Sequence, residues 1–360
     1  MNLRQQEQKT FDESLNNIIV GEEPACPLPA EQLAATTSES PYVVETFDSG
    51  LTAEVFHLSI NGQDYTLKKK RPEAKVQNLD GKYSFLNEVQ RRQDFTRLKS
   101  SEEHVEAFKH IVPTIYANYR LGIILSPWIE GEPVTDLTGD IIEQLFSTLL
   151  ASEKAGLFEW DLCSGNLLID KNNQLTLFDF GYMYPFDPMT DLNSNGLGDP
   201  IFHLSERFET RFLFGWFLHN NIEESRQLEI YQQVKTCGLS VYSEKLEWLK
   251  LHAAEQEVLN HTAMLSLQCK ERVSNDIQLK QGFLFDSFRS HVLDIEDDLH
   301  GKSCTPVTIK RIDAVEAMLE SNFDQLESND MLFYGNNGKS KQALLEDYKV
   351  KRRLAESYLL

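Results

Sequence analysis

The chain has 360 residues and carries 35 Lys and Arg against 56 Asp and Glu, which gives a formal net charge of −21 at pH 7. A negative surplus of this size disfavours binding to nucleic acid or to an anionic membrane surface. No apolar run has the length of a membrane span, no signal-peptide core is visible, and the five cysteines are scattered, so we expect a cytoplasmic protein without a membrane partner.

The N-terminal part of the chain begins with a polar stretch and continues into strands. Residues 1–40 contain scattered prolines and no clear period, and we expect a partly ordered extension there with a short helix near residues 5–18. Residues 42–58 read as two β-rich runs around a polar turn that contains Gly50.

A lysine-rich strand follows a hairpin signal. Asn61-Gly62 is a two-residue turn that leads into a strand over residues 64–70. Strand alternation places Lys68 and Lys70 on one face of that strand. A solvated lysine run must explain at least one of the three consecutive lysines.

An acidic residue lies on the helix that follows. Glu88 occurs in SFLNEVQRRQDF, twenty residues after Lys68. This segment also contains three arginines, Arg91, Arg92 and Arg97. Together with residues 68–71 they form a basic zone, which we interpret as a solvated helix face.

Another strand and a helix come next. Residues 121–137 read as a strand followed by a polar connection. Residues 140–155 repeat apolar side chains at helical spacing, which predicts a buried helix. We expect an Asp140–Glu143 capping box to begin this helix and Gly156 to end it.

Two short stretches carry the strongest chemical signal, WDLCSGNLLID and LTLFDFG. Asp161 and Asn166 lie five residues apart, and Asn166 precedes Asp179 by thirteen, with a strand, a polar turn and a strand between the last two. Phosphoryl transfer from ATP needs a carboxylate that accepts the proton of the attacking hydroxyl, and hard oxygen ligands for Mg²⁺. Asp161 is the candidate for the first role, and Asn166 and Asp179 are candidates for the second. The spacing predicts a kinase.

This segment closely resembles the catalytic and metal-binding core of the protein-kinase-like superfamily. The resemblance implies an α+β, bilobal fold with a small antiparallel β N-lobe and a larger, mostly helical C-lobe, and it implies ATP and Mg²⁺ as cofactors. We accordingly assign residues 1–40 to the partly ordered extension, residues 41–130 to the ATP-binding N-lobe and hinge, and residues 131–360 to the helical C-lobe with both loops. A chain of this length can bury two cores.

The resemblance also implies roles for residues of the N-lobe. Lys68 would reach the α and β phosphates and pair with Glu88, and Lys70 is the alternative lysine. The turn before them falls on the glycine-rich phosphate loop of the superfamily, but only Gly50 of its three glycines is present.

The strand at residues 121–137 is similar to the fifth strand and hinge of the superfamily. Ser126 would be the gatekeeper, the Pro127 carbonyl would accept from the adenine amine, and Ile129 would supply the hinge N–H. Trp128 suits core packing as well as nucleotide contact.

Departures from the protein-kinase pattern favour a small-molecule acceptor. Residues 159–161 are Glu-Trp-Asp, where protein kinases have His-Arg-Asp, so regulation by activation-loop phosphorylation is not expected. Residues 198–204 resemble the Gly-Asp-Pro-x-x-Asp-Leu of aminoglycoside and choline phosphotransferases, with His203 in place of the second aspartate. We hypothesise a cationic alcohol or sugar, for which the acidic run at residues 294–298 would be suitable, although surface solvation explains that run equally well.

The sequence thus predicts an ATP- and Mg²⁺-dependent phosphotransferase acting on a hydroxyl acceptor that it does not identify. A protein Ser/Thr kinase acting on a partner protein is one alternative. A nucleotide-binding pseudokinase scaffold is the other, and the poor glycine loop supports it.

The remainder of the chain reads mainly as helices that would cover the acceptor site. An aromatic-rich segment, SERFETRFLFGWFLHN, is most simply lobe core. We expect further helices near residues 222–235, 243–273, 309–326 and 339–359, with an irregular linker near residues 299–307.

Overall fold

The computed structural model describes residues 2–47, 50–76 and 78–359, without the side chain of residue 103. Asp48 and Ser49 of the expected phosphate loop lie outside the described residues. The chain forms two compact units. The first runs to Thr135 and includes Gly165–Tyr184, and the second contains Asp136–Ser164 and the chain from Pro185 onwards.

The described strands are short and lie mainly in the first unit. In chain order they are β1 (Ile19–Gly21), β2 (Val43–Phe47), β3 (Ala53–Ile60), β4 (Gln63–Lys70), β5 (Tyr116–Asn118), β6 (Ile123–Pro127), β7 (Glu132–Pro133), β8 (Leu157–Glu159), β9 (Leu167–Ile169), β10 (Leu175–Leu177) and β11 (Met183–Pro185).

The helices dominate the second unit. The first unit contains α1 (Leu3–Glu13), α2 (Ala30–Ala34), α3 (Leu79–Lys99) and α4 (Glu102–Val105). The second unit contains α5 (Gly139–Lys154), α6 (Leu204–Phe208), α7 (Phe214–Asn220), α8 (Glu224–Leu251), α9 (Gln256–Arg272), α10 (Asp276–Gly301), α11 (Pro306–Ser328) and α12 (Lys341–Ser357). A small antiparallel sheet with a larger helical part confirms the predicted α+β class.

A six-stranded antiparallel sheet in the order β1-β5-β6-β4-β3-β2 is the framework of the first unit. Successive side chains of a strand point to opposite faces, so each face has its own core. Leu67 of β4 packs with Leu33 of α2 on one face. On the other face Ile124, the register partner of Lys68, packs with Leu86 and Val89 of α3. Lys68 therefore points to the face that α3 covers.

The first 40 residues are built into this unit, where a partly ordered extension was expected. β1 pairs with β5 at the edge of the sheet, and α2 covers one face. The guanidinium of Arg120 donates to carbonyl oxygens in the last turn of α1, of Phe11 and Asp12, and just after it, of Ser14 and Asn16. The last carbonyls of a helix have no intrahelical partner, and a distant arginine satisfies them here. Local sequence carries no sign of such a contact.

Helix α5 begins differently from the expectation. The Thr138 hydroxyl accepts from the Ile141 N–H at 3.4 Å and caps the helix, so the predicted Asp140–Glu143 capping box is wrong. Thr138 is a better cap because its extended backbone lets the hydroxyl face the first free amides. Gly156, at φ +78°, follows the end of the helix as predicted.

The helices of the second unit are divided differently from their sequence patterns. The single helix expected at residues 243–273 is wrong, because α8 ends at Leu251 and α9 begins at Gln256. α8 runs without a break for 28 residues and packs against α5 and α9. α10 was not predicted, and it reduces the expected linker to residues 302–305. Its inner face joins the core that α11 and α12 form. None of the described helices is long and apolar enough to cross a membrane.

Candidate active site

Lys68 lies at the centre of a buried ionic cluster in the first unit. Its ammonium is 3.0 Å from each oxygen of Glu88 and 2.9 Å from Asp179 Oδ2. Removal from water lowers the pKa of Lys68, but the carboxylates of Asp179 and Glu88 raise it by more, so the pKa is raised overall. Lys70, the alternative, lies elsewhere and donates to the Tyr119 hydroxyl at 3.3 Å.

Asp179 combines a strained backbone with an accessible side chain. Its φ is +70°, in the left-handed region that side chains other than glycine seldom adopt. The carboxyl is 38% exposed, whereas the Glu88 side chain beside the same lysine is 3% exposed. Desolvation raises the pKa of Asp179, but the charge of Lys68 and the hydrogen bonds from Lys68 and Gly181 together lower it by more, so the pKa is lowered overall and Asp179 is ionised at neutral pH. One charged oxygen ligand is thus presented to solvent.

Helix α3 fixes the backbone that carries Asp179. The Asn87 amide donates to the carbonyl oxygens of Phe180, Gly181 and Met183 at 3.0, 3.1 and 2.7 Å. Gly181 approaches α3 so closely that a Cβ there would lie 2.7 Å from the Ser84 hydroxyl oxygen. Lys68, Glu88 and Asp179 are therefore held together by packing as well as by charge.

The basic zone predicted from the sequence is not a solvated helix face. Arg92 is buried and donates to Glu88 Oε1 at 2.9 Å and to the Ser126 hydroxyl at 3.3 Å. Arg91 is also buried, and it donates to the Met183 carbonyl oxygen at 3.1 Å. Only Arg97 of the three arginines is exposed. The prediction failed because further acceptors, Met183 for Arg91 and Ser126 for Arg92, come from distant parts of the chain.

Gly50 has a structural requirement of its own. A Cβ at this position would lie 2.3 Å from the Ala53 carbonyl oxygen, so no other residue fits the turn. The Arg71 guanidinium donates to the Gly50 carbonyl oxygen at 2.9 Å and anchors the loop. The presence of this glycine is explained by the turn itself, and it is weak support for a phosphate cradle.

The expected hinge follows directly from β6. Pro127 is the last residue of β6, and the Trp128 N–H donates to Asp64 O at 3.1 Å. The Trp128 ring stacks on His57 with centroids 3.7 Å apart. No partner for the Ile129 N–H is found within the part of the chain that the structure describes. Trp128 is thus committed to packing, and Ile129 keeps a donor available.

Asn166 lies next to the loop that carries Asp179. Its carbonyl oxygen accepts from the N–H of Phe178, the residue before Asp179, at 3.1 Å. The β9–β10 pairing, from Leu167 opposite Leu177 to Ile169 opposite Leu175, brings these strand ends together. No group of three or more His, Cys, Asp or Glu side chains suited to a metal occurs among the described residues. One carboxylate and one amide fit Mg²⁺, which takes few protein ligands and completes its shell with phosphate oxygens and water.

Asp161 belongs to the second unit and is held there by an arginine that the sequence analysis missed. Arg211 Nε and Nη2 each lie 2.9 Å from Asp161 Oδ1. The Asp161 N–H donates to Glu159 Oε1 at 2.7 Å. Arg211 also pairs with Asp294 of the acidic run. The available signal was the presence of Arg207 and Arg211 within the aromatic-rich segment, because charges among buried aromatic side chains require partners.

His203, which occupies the position of the second aspartate in the Gly-Asp-Pro-x-x-Asp-Leu pattern, caps α6. Its Nδ1 accepts from the Glu206 N–H at 3.3 Å and lies 2.6 Å from the Tyr242 hydroxyl. Burial lowers the pKa of His203 well below its ordinary value, and nearby positive charges lower it further. A neutral imidazole can accept at Nδ1, so His203 performs the capping that a carboxylate would provide.

Comparison with known proteins gives a partial match. Residues 53–194, less than half of the chain, match a family model described as an ABC1 atypical kinase-like domain. Among solved structures, the chain is similar to a co-crystal structure of WbdD and the kinase inhibitor LY294002, at 13% identity and a TM-score of 0.33. That alignment covers 62% of this chain and 45% of the other, so the chain spans less than half the length of that relative. No curated protein matches.

Proposed function

Because the chain belongs to the protein-kinase-like superfamily, we propose that it is an ATP- and Mg²⁺-dependent phosphotransferase that phosphorylates a hydroxyl of a small-molecule acceptor. The observation that carries the proposal is the buried ammonium of Lys68 between Glu88 and the accessible carboxylate of Asp179. Strained backbone positions cluster at active sites and ligand clamps, and the carboxylate of Asp179 is accessible enough to bind a metal ion.

In the proposed mechanism, different side chains bind the phosphates of ATP and the Mg²⁺ ion. Lys68, held in place by Glu88, would contact the α and β phosphates, and Asp179 with Asn166 would hold Mg²⁺. Bound Mg·ATP would supply the transferable γ-phosphoryl group. The positive φ of Asp179 directs its carboxylate from a fixed backbone, so little ordering remains to be done when the metal binds.

Asp161 would act on the acceptor. Its carboxylate would orient the hydroxyl for in-line attack on the γ-phosphorus and accept the hydroxyl proton, while the bond from the γ-phosphorus to the bridging oxygen breaks and ADP leaves. The acceptor class is inferred from the missing arginine before Asp161 and from residues 198–204. Asp294 pairs with Arg211 and Arg311, so it is not available to a cationic acceptor.

The test is Mg²⁺-dependent ATP turnover by the wild type, Asp161→Ala and Asp179→Ala, with and without a pool of small alcohols and aminoglycosides. Asp170→Asn is the matched control. Asp170 lies on the same β9–β10 hairpin, and its carboxylate accepts from the N–H groups of Asn172 and Gln174, which an asparagine can replace. We expect turnover that depends on the pool, persists in the control and disappears in both alanine variants.

Two other outcomes would replace the proposal. Phosphate incorporated into protein, with no stimulation by the pool, would favour a protein kinase. ATP binding without turnover under any condition would favour a nucleotide-binding scaffold. The poor glycine loop is the feature that such a scaffold would explain.

A further inference from the structure

Arg211 connects Asp161 to a second carboxylate in the helical unit. Two guanidinium nitrogens of Arg211 lie 2.9 Å from Asp161 Oδ1, and the third pairs with Asp294 Oδ1. A guanidinium is planar and rigid, so anchoring one end restricts the other. Residues 162–164, directly after Asp161, are Leu-Cys-Ser and contain no cation. The positive partner of Asp161 is therefore supplied from 50 residues away.

Asp294 is itself held by a buried arginine. Arg311 Nε lies 2.8 Å from Asp294 Oδ2, and Arg311 Nη2 donates to the Thr210 carbonyl oxygen at 2.7 Å. The Arg311 side chain is 2% exposed. Arg211 and Arg311 thus share one carboxylate, and a network of ion pairs and hydrogen bonds runs from the core of the unit to Asp161.

A π-helical turn makes this arrangement possible. Residues Glu209–Leu213 form a π-helix between α6 and α7. The Phe214 N–H donates to Glu209 O, whereas in an α-helix it would donate to Thr210 O, and Thr210 O accepts from Arg311 instead. Gly215 admits Arg311, because a Cβ there would lie 2.5 Å from Arg311 Nη2. Such turns are frequently found at functional sites.

We propose that Arg211 is the positioning residue of Asp161: it fixes the rotamer of the carboxylate that receives the acceptor proton. This inference rests on the proposed function. A carboxylate that is free to rotate spends part of its time turned away from the acceptor, and small misplacements of reacting groups cost large factors in rate. Arg211 also belongs to a network of charges that stabilises the second unit, so the test includes readouts that a purely structural role would not change.

The experiment compares kcat and the KM for ATP in wild type, Arg211→Ala, Arg211→Lys and Gly215→Ala. We expect Arg211→Ala to lower kcat by about 10²-fold and to leave the KM for ATP within about two-fold, because only the acceptor side is disturbed. Arg211→Lys should lower kcat less than Arg211→Ala does, since an ammonium keeps the positive charge although it lacks the planar guanidinium. Gly215→Ala should lower kcat although both Asp161 and Arg211 remain. Guanidinium ions in the assay should restore part of the activity of Arg211→Ala and none of that of Asp161→Ala.

Arg289→Lys is the matched control. Arg289 is a buried arginine that donates at 2.6 Å to Glu209, the first residue of the same π-helix. If Arg211→Ala and Arg211→Lys keep kcat within about two-fold while Asp161→Ala is inactive, the positioning role is refuted and the proposed function stands. The positioning role would also be refuted if Arg289→Lys and Arg211→Lys lose kcat equally and guanidinium ions do not restore the activity of Arg211→Ala. A folded wild type without turnover overturns both proposals.

Discussion

Substitution of Glu88 by Gln removes one of the two carboxylates from the cluster around Lys68. The Glu88 carboxylate lies 3.0 Å from the Lys68 ammonium and 2.9 Å from Arg92 Nη2. In Glu88→Gln both cations stay buried, with Asp179 as the only remaining carboxylate of the cluster. The stability of the first unit should then fall, because an uncompensated buried charge is costly.

The magnitude follows from the geometry. Each contact near 3.0 Å contributes roughly 5 kcal/mol of Coulomb energy at an effective dielectric constant of about 20. Most of this is offset by the desolvation of the charges, and breaking buried pairs costs about 3–5 kcal/mol in comparable proteins. Because Asp179 still neutralises Lys68, we expect Glu88→Gln to lose about 3 kcal/mol of unfolding free energy, at the lower end of that range.

A double variant separates charge balance from packing. Lys68→Met/Glu88→Gln leaves one cation, Arg92, and one anion, Asp179. It should therefore be more stable than the sum of the two single losses predicts, with a coupling of about 2 kcal/mol. Glu54→Gln is the matched control. Glu54 is also on the sheet, but it is 38% exposed and 3.6 Å from Arg71, so its loss should be below about 1 kcal/mol.

Urea unfolding followed by circular dichroism measures these differences, and hydrogen exchange of β4 peptides assigns them to the first unit. ATP turnover is measured in parallel. It should be lost in the double variant, because restored stability does not restore the lysine. A loss of less than about 1 kcal/mol in Glu88→Gln, or strict additivity in the double variant, would refute the reasoning.

Three further predictions test other parts of the structure. Gly181→Ala places a Cβ 2.7 Å from the Ser84 hydroxyl oxygen; we expect a loss of about 1–3 kcal/mol, and a thermal midpoint equal to that of the wild type would contradict the packing. Burial and nearby positive charges lower the pKa of His203, so the unfolded chain binds a proton below about pH 6.5 that the folded chain excludes, and stability is lost as the pH falls. His203→Asn should remove up to about 1.4 kcal/mol per pH unit of that loss, read as the difference from wild type in urea unfolding across pH. The comparison with wild type is needed because burial and the Asp294 charge raise the pKa of Asp298 to about 7, so the stabilisation from Asp298 falls as the pH rises. An unchanged dependence of stability on pH in His203→Asn would show that His203 is charged in the folded protein. Finally, Mg²⁺ alone should leave the thermal midpoint unchanged, since the described residues contain no ready metal cluster, whereas Mg²⁺ with ATP should add about 2.7 kcal/mol at one hundred times Kd.

Features that depend on local spacing could be predicted from the sequence. The pattern of Asp161, Asn166 and Asp179 predicted the strand–turn–strand that the structure forms as β9 and β10. Strand alternation placed Lys68 on one face of β4, and α3 covers that face with Glu88. Such features are short-range, because the periods of strands and helices are set by backbone geometry.

The surroundings of charged residues could not be predicted in this way. Arg92 was expected in solvent and is buried between Glu88 and Ser126. Asp294, in a run expected to be solvated or to meet a cationic ligand, binds Arg211 and Arg311. The sequence shows that these residues are charged, but not whether a partner from another element satisfies the charge.

The sequence by itself determined the superfamily, the α+β class and the candidate chemistry, because these depend on residue types at short separations. Tertiary structure alone decided that the first 40 residues join the sheet, that α8 is continuous and that Arg211 holds Asp161. In each of these cases the stabilising contact joins residues far apart in the chain. The free energy of such a contact depends on which groups the fold brings together and removes from water.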